Sequence, residues 1–135
     1  MSNSVIRYRL KREERLRLKK EISVLFSSGN SLYISPIRLV WKVIPSCNTI
    51  PLKVLVSVPR HNIRKATDRN KIRRRIKEIY RLNKHPLAGV MLAAEKVCLI
   101  AWVYTGRKVV DSKELKPAIL LLLRRLTDIH AKASH

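Results

Sequence analysis

Apolar residues return along this chain in two rhythms, and the change from one to the other marks out its elements. Over 11–28, Leu18, Ile22 and Leu25 recur at helical spacing while Arg12, Arg15, Lys19 and Lys20 take other faces, which predicts a helix. Gly29 and Asn30 are expected to close it, because both residue types tolerate positive φ. The period then shortens to two. Over 36–44, Ile37, Leu39, Trp41 and Val43 share one face and Arg38, Val40 and Lys42 the other, the pattern of a strand. Prolines at 45 and 51 bracket a turn region. A second strand, rich in Val and Leu, is expected over 52–58. A third, over 96–104, is apolar on both faces, as a central strand covered on both sides would be.

Between the second and third strands the helical period returns over 65–83, with Ile72, Ile76, Ile79 and Tyr80 in one stripe. His85 and Pro86 mark its end, and 87–95 reads as a loop. The last stripe, Leu115, Ala118, Leu122, Leu126 and Ile129, predicts a helix within 112–132. Asp111 and Glu114 have the spacing of a capping box. Pro117 then falls deep in the helix, which moves the expected start toward Lys116. The order is helix, strand, strand, basic helix, strand, helix: an α+β sandwich with helices packed on an antiparallel-to-mixed sheet. One domain is expected over 11–132, with a basic, mobile N-terminus at 1–10 and a short tail at 133–135.

Charge changes this picture from a fold to a function class. The 135 residues hold 30 Lys and Arg against 9 Asp and Glu, a formal charge of +21, while 46% of positions remain hydrophobic. A chain with that apolar content buries a core, so it is not a disordered basic tail. The self-repulsion of so many cations is relieved by a polyanion, of which nucleic acid is the usual one. No apolar run approaches the about 18 residues of a membrane span. No apolar segment follows the basic N-terminus, so a secretory signal is not expected. Cys47 and Cys98 stand far apart, outside any zinc or disulfide pattern, and read as reduced cysteines of a cytoplasmic protein.

The cations concentrate on the helix over 65–83. With about 100° per residue, Arg73, Lys77, Asn70, Arg81 and Arg74 fill the sector beside the Ile/Tyr stripe, and Arg69 sits at the border. A merely solvated face usually mixes charge signs in i,i+4 pairs. Here only Asp68 and Glu78 oppose the cations, and like charges recur in Arg69, Arg73 and Lys77. Phosphate binding is the better reading, since the planar fork of Arg donates two parallel hydrogen bonds to such a group. No Gly-rich nucleotide loop accompanies it.

These residues resemble a known family. The strand Val54-Leu-Val-Ser-Val58, a basic loop, and then Arg69-Asn70-x-Ile72-Arg73-Arg74-x-x-Lys77-Glu78 are similar to the signature of the bacterial ribonuclease P protein subunit. Leu18-Lys19-Lys20 with Leu25-Phe26 and Gly29 resembles that family's first helix, and the order of elements agrees over 11–130. Lys77 stands where the family usually has Arg, and Arg73 where it has Lys. Pro59-Arg60-His61 replaces a common Ser-Lys-Lys, the next loop is one residue longer, and the first helix is about two residues short.

The resemblance implies an α-β-β-(β)-α-β-α sandwich like the second domain of a small-subunit ribosomal protein. It implies a left-handed crossover through the basic helix between parallel strands, against the general rule of handedness. It also implies that Arg69, Asn70, Lys71, Arg73, Arg74 and Lys77 face a catalytic RNA, with Arg81 joining them on the wheel, and that Ile22, Phe26, Trp41 and Arg60 line a cleft for the single-stranded 5′ leader of precursor tRNA. Phe26 and Trp41 suit that role independently, because aromatics stack on unpaired bases; Tyr33 is a further stacking candidate. Both aromatics are equally compatible with a place in the core.

His61, His85, His130 and His135 lie scattered, none at the spacing of a triad or metal site, and the few carboxylates do not cluster for a two-metal nuclease. The resemblance accordingly implies that the RNA subunit supplies the active site and binds the Mg²⁺. The protein is expected to need no organic cofactor, to be inert alone, and to join one RNA as a single copy, without a membrane. A ribosomal or other structural RNA-binding protein is the main rival. A DNA-architectural protein is less favoured, because no helix-turn-helix spacing, dimer seam or wedge-bearing arm is present.

Overall fold

The continuous apolar run over 97–104 organises the molecule. In the computed structural model, which describes residues 14–45 and 50–133, it forms the central strand of a four-stranded sheet. The strands are β1 (Asn30–Ile34), β2 (Ile37–Pro45), β3 (Leu52–Ser57) and β4 (Lys96–Tyr104), in spatial order β1-β2-β4-β3. β1 and β2 form an antiparallel hairpin; β2 is antiparallel to β4, and β3 is parallel to β4. A parallel pair needs a long crossover. Two helices supply it, α2 (Ala66–Asn83) and α3 (His85–Ala93). α1 (Lys19–Ser28) precedes the sheet and α4 (Ser112–Ala133) follows it. The α+β class and mixed sheet stand as expected, with one more strand and one more helix than the periodicity located.

Alternation along the strands splits the core in two. Ile37, Leu39, Trp41, Val54, Val56, Ile100 and Trp102 point to one face and pack with α2, α3 and α4 through Ile72, Ile76, Tyr80, Leu87, Met91, Leu115, Ile119 and Leu122. Val40, Val97, Leu99 and Ala101 point to the other and, among the described residues, meet Leu16 and Leu25 from outside the sheet, with Ile22 half-buried beside them. Burying Ile72, Ile76 and Ile79 stabilises by about 1.5–3 kcal/mol each. Each like-charged i,i+4 pair on α2 costs only about 0.2–0.5 kcal/mol. Packing therefore decides that this cationic segment is helical.

Several expectations are corrected. The first helix begins at Lys19, not Lys11. The segment before it is extended: Arg15 makes a parallel bridge with Val54, and the Leu16 amide donates to the Val54 carbonyl at 2.9 Å. Leu16 is thereby buried at the edge of β3, a tertiary contact that overrides helical spacing. Gly29 closes α1 with φ −76°, so positive φ is not its reason. A Cβ there would stand 2.3 Å from the Leu25 carbonyl oxygen and 2.9 Å from that of Trp41, so only glycine lets the chain pass so close to β2.

Most of the stretch 87–95, expected as a loop, belongs to α3, which starts at His85 with Pro86 in its first turn, where a missing amide hydrogen costs nothing. α4 starts at Ser112, since the Glu114 amide donates to Asp111 Oδ1 at 3.2 Å and caps it. Pro117 is accommodated on its exposed side. The expected mobile N-terminus at 1–10, most of the turn between Pro45 and Pro51 with Cys47, and His135 lie outside the described residues.

Candidate RNA interface

The first surface is one flank of α2. Its buried stripe is Ile72, Ile76, Ile79 and Tyr80, as the wheel predicted. Arg73 and Arg81 are half-buried on the adjacent flank, while Asn70, Arg74 and Lys77 are exposed. Asn70 Oδ1 accepts a hydrogen bond from Arg73 Nη1, which holds that guanidinium along the helix surface. Arg81 donates to Glu78, which gives it a carboxylate partner on its own helix. Among the described residues no ion pair engages Arg73, Arg74 or Lys77. Desolvation, then the charges of Arg15 and Arg73, hold the Lys77 ammonium below the usual lysine range.

Two of the expected contact residues behave differently. Arg69 Nη1 donates to the carbonyls of Ile63 (3.0 Å) and Arg64 (2.6 Å), so this nitrogen braces the loop that enters α2. Lys71 is exposed but lies about 100° beyond Asn70, on the outer side of the helix. Arg75 and Arg15 escaped the sequence reading. Arg75 sits on the opposite flank and donates to the Val110 carbonyl, tying α2 to the start of α4. Arg15 comes to α2 only because its segment is pinned to β3, and nothing in its local sequence signals that.

The second surface is the thinly covered face of the sheet. α1 crosses it from the β3 edge, where Leu16 meets Val54, to β2, where Gly29 meets Val40 and Trp41. On one flank of α1, Glu21 pairs with Lys53 of β3 at 3.2 Å. Ile22 and Phe26 lie toward the opposite flank. Beyond α1 the direct cross-strand partners Tyr33–Arg38–Val103–Ser57 form one row across all four strands. Phe26 and Tyr33 are 49% and 54% exposed, so their rings are open to solvent. Tyr33 Oη is within 3.3 Å of Thr105 Oγ1, whose own hydroxyl donates to the Pro36 carbonyl; hydrogen bonds from Ser35 and Thr105 lower the phenol's pKa. Arg60 is exposed in the turn after β3, at the Ser57 end of the row.

Trp41 does not join this surface. It is 7% exposed and packs in the large core on the other face, because alternation places it with Ile37 and Leu39. The aromatic that the open face does offer from the hairpin is Tyr33. His85 lies at the start of α3, its pKa lowered first by desolvation, and His130 Nδ1 contacts the Leu126 carbonyl of its own helix at 2.9 Å. Among the described residues, no three His, Cys, Asp or Glu side chains gather as metal ligands, and no helix is long and apolar enough to cross a membrane.

Comparison with known proteins agrees with the fold. A family model described as Ribonuclease P matches residues 10–126. The chain is 31% identical over 117 residues to the ribonuclease P protein component of Porphyromonas gingivalis, covering 87% of this chain and 85% of that one. It is 30% identical over 105 residues to the protein component of Chlorobaculum tepidum, covering 73% and 68%. Among solved structures, the RNase P protein from Thermotoga maritima superposes with a TM-score of 0.63 at 28% identity, over 83% of this chain and 96% of that one. The Staphylococcus aureus RNase P protein, at 15% identity, shares the fold with the same TM-score over 83% and 94%.

Proposed function

The chain belongs to the ribonuclease P protein family, and from that premise we propose that it assists the catalytic RNA in removing the 5′ leader from precursor tRNA by two separate contacts. The α2 flank neutralises RNA phosphates. The open row of the sheet, with Phe26 and Tyr33, holds the unpaired leader. The observation that carries this reading is the one-sidedness of α2: Arg73, Arg74 and Lys77 crowd one flank, and among the described residues no carboxylate forms an ion pair with them. Such a row is costly to the free protein and complementary to a phosphate backbone.

In this proposal the RNA performs hydrolysis and holds the Mg²⁺ that supports it. The described residues offer no cluster of acidic or imidazole ligands for a metal. The protein's part is to lower the repulsion between RNA strands, so that less Mg²⁺ is needed, and to add leader contacts that mature tRNA lacks. Arg69 belongs to the same machinery indirectly, because its hold on Ile63 and Arg64 sets how the loop enters α2.

The test is reconstitution with a bacterial ribonuclease P RNA at low Mg²⁺. The wild type is expected to restore 5′ cleavage of precursor tRNA, and a variant carrying Arg73→Ala, Arg74→Ala and Lys77→Ala is expected not to. Equal cleavage by both proteins would remove α2 from the mechanism. Equal affinity of the holoenzyme for precursor and mature tRNA would remove the leader contact.

A further inference from the structure

The segment before α1 is held against the sheet by more bonds than a connecting segment requires. The Leu16 amide donates to the Val54 carbonyl, Arg15 bridges Val54, and Leu16 is buried. Glu14 pairs with Lys84, a lysine 4% exposed at the junction of α2 and α3 and 70 residues away in the chain. Glu21 pairs with Lys53 on β3. The whole chain has 9 acidic residues against 30 basic ones, and one of those nine, Glu14, anchors this segment while a second, Glu21, anchors the first turn of α1 that follows it.

That use of acids has a consequence for charge. Glu14 turns to Lys84 and Glu78 to Arg81. Arg15 is the bridge partner of Val54, whose side chain packs on the face under α2, so the exposed Arg15 stands at the outer edge of β3 on that side. Arg75 ties the opposite flank of α2 to the start of α4, which turns the flank with Arg73 and Lys77 toward this edge, and among the described residues none of the three cations has a carboxylate in an ion pair. Mutual repulsion would push an untethered, exposed Arg15 away from the helix. The backbone bridge and the Glu14–Lys84 pair keep it there. Three cations held together by tertiary contacts, from two distant parts of the chain, are complementary to a doubly contacted phosphate.

We propose that Arg15, Arg73 and Lys77 form one phosphate-binding site at the edge of β3, which makes the N-terminal segment a structural half of the RNA interface. The proposal rests on the RNA-binding reading of α2. The low pKa direction of Lys77, with Arg15 among its causes, agrees with the convergence. In a plainer alternative the segment serves only to cover the edge of β3, which would otherwise present unpaired backbone groups. The two readings separate cleanly, because the cover is made by backbone atoms and the site by a side chain.

The experiment measures affinity of the full-length protein for a bacterial ribonuclease P RNA across a salt series. Arg15→Ala keeps the backbone bridge and is expected to lower the salt slope by about one, as loss of one phosphate contact does. Arg15→Lys is expected to retain it. Arg15→Ala is expected to weaken binding less in a Lys77→Ala background than in the wild type. The paired variant Glu14→Gln with Lys84→Met removes the tether without leaving a buried charge unpaired, and is expected to reproduce the Arg15→Ala slope. If Arg15→Ala keeps the wild-type slope while Arg73→Ala loses it, α2 binds RNA and the segment is only a cover, and the proposal falls. If Arg73→Ala and Lys77→Ala also bind like the wild type, the RNA-binding reading of α2 falls first and takes the site with it.

Discussion

The two faces of the sheet differ in what their aromatic residues do. On the face under α2, α3 and α4, Trp41, Tyr80, Trp102 and Tyr104 are buried, and Tyr80 meets Trp102 edge-on with ring centroids 6.1 Å apart. On the face under α1, Phe26 and Tyr33 remain open to solvent and the buried residues are mostly smaller: Leu16, Leu25, Val40, Val97, Leu99 and Ala101. Among the described residues one face carries three helices and most of the core, and the other carries α1 alone. Substitutions on the two faces should therefore read out differently.

The largest effect is expected from Ile76→Ala. Its side chain is fully buried beneath α2, and removing it should lower unfolding stability by about 2–5 kcal/mol. Urea denaturation measures this. A loss under 1 kcal/mol would mean that the thick face is not where stability resides.

Next comes the α2 flank. Replacing Arg73, Arg74 and Lys77 together by Ala should reduce the salt slope of RNA binding by about three. Stability should hold or rise slightly, since like-charge pairs of about 0.2–0.5 kcal/mol are relieved. A large fall in melting temperature instead would show that these cations serve the fold.

Phe26→Ala sharpens the contrast from the thin face. Its exposure places the expected stability change within about 0.5 kcal/mol. Loss of a stacked base should weaken binding of precursor tRNA by about 1–3 kcal/mol and leave mature tRNA unaffected. Equal weakening of both would assign Phe26 to the RNA subunit or to packing. Trp41→Ala should do the reverse, destabilising the fold with no selective effect on the leader.

How much of this was legible in the sequence depended on whether a contact was local. The stripe on α2 was readable because Ile72, Ile76, Ile79 and Tyr80 lie within one helix, and β4 because the eight residues after Lys96 are all apolar. The position of Trp41 was readable too: its alternation with Ile37 and Leu39 already puts it on the core side, and the aromatic character of Trp argued misleadingly for stacking. β1 was hidden because Asn30–Ile34 is half polar and gains its place by pairing with β2. α3 was hidden behind Pro86, read as a terminator when it is an initiator. Arg15 had no local signal at all. Its spacing fits a helix, and only Leu16, the Val54 carbonyl and the Glu14–Lys84 pair make it extended. The family resemblance named the α2 residues as one group, and it could not distinguish Arg69, which braces a loop, from Arg73, which lies along the flank.

The smallest expected effect belongs to the thick face and appears only at alkaline pH. Burial pushes the Cys98 thiol from its ordinary value of 9.0 up to about 12, and desolvation likewise raises the Tyr80 phenol well above its usual range. Both groups are held neutral in the folded protein, while the unfolded chain ionises them at ordinary pH values. The stability they contribute is therefore complete below pH 9.0 and is lost as pH rises toward the folded-state value of about 12. Between pH 8 and 10 the Cys98 part of that loss is about 1 kcal/mol, from about 1.4 kcal/mol per unit of pKa difference. A Cys98→Ala variant should start less stable, through the small cavity it leaves, yet fall less steeply over the same interval. Parallel slopes for wild type and variant would show that Cys98 ionises as readily in the folded state as in the unfolded one, and that the thick face admits solvent where its packing says it does not.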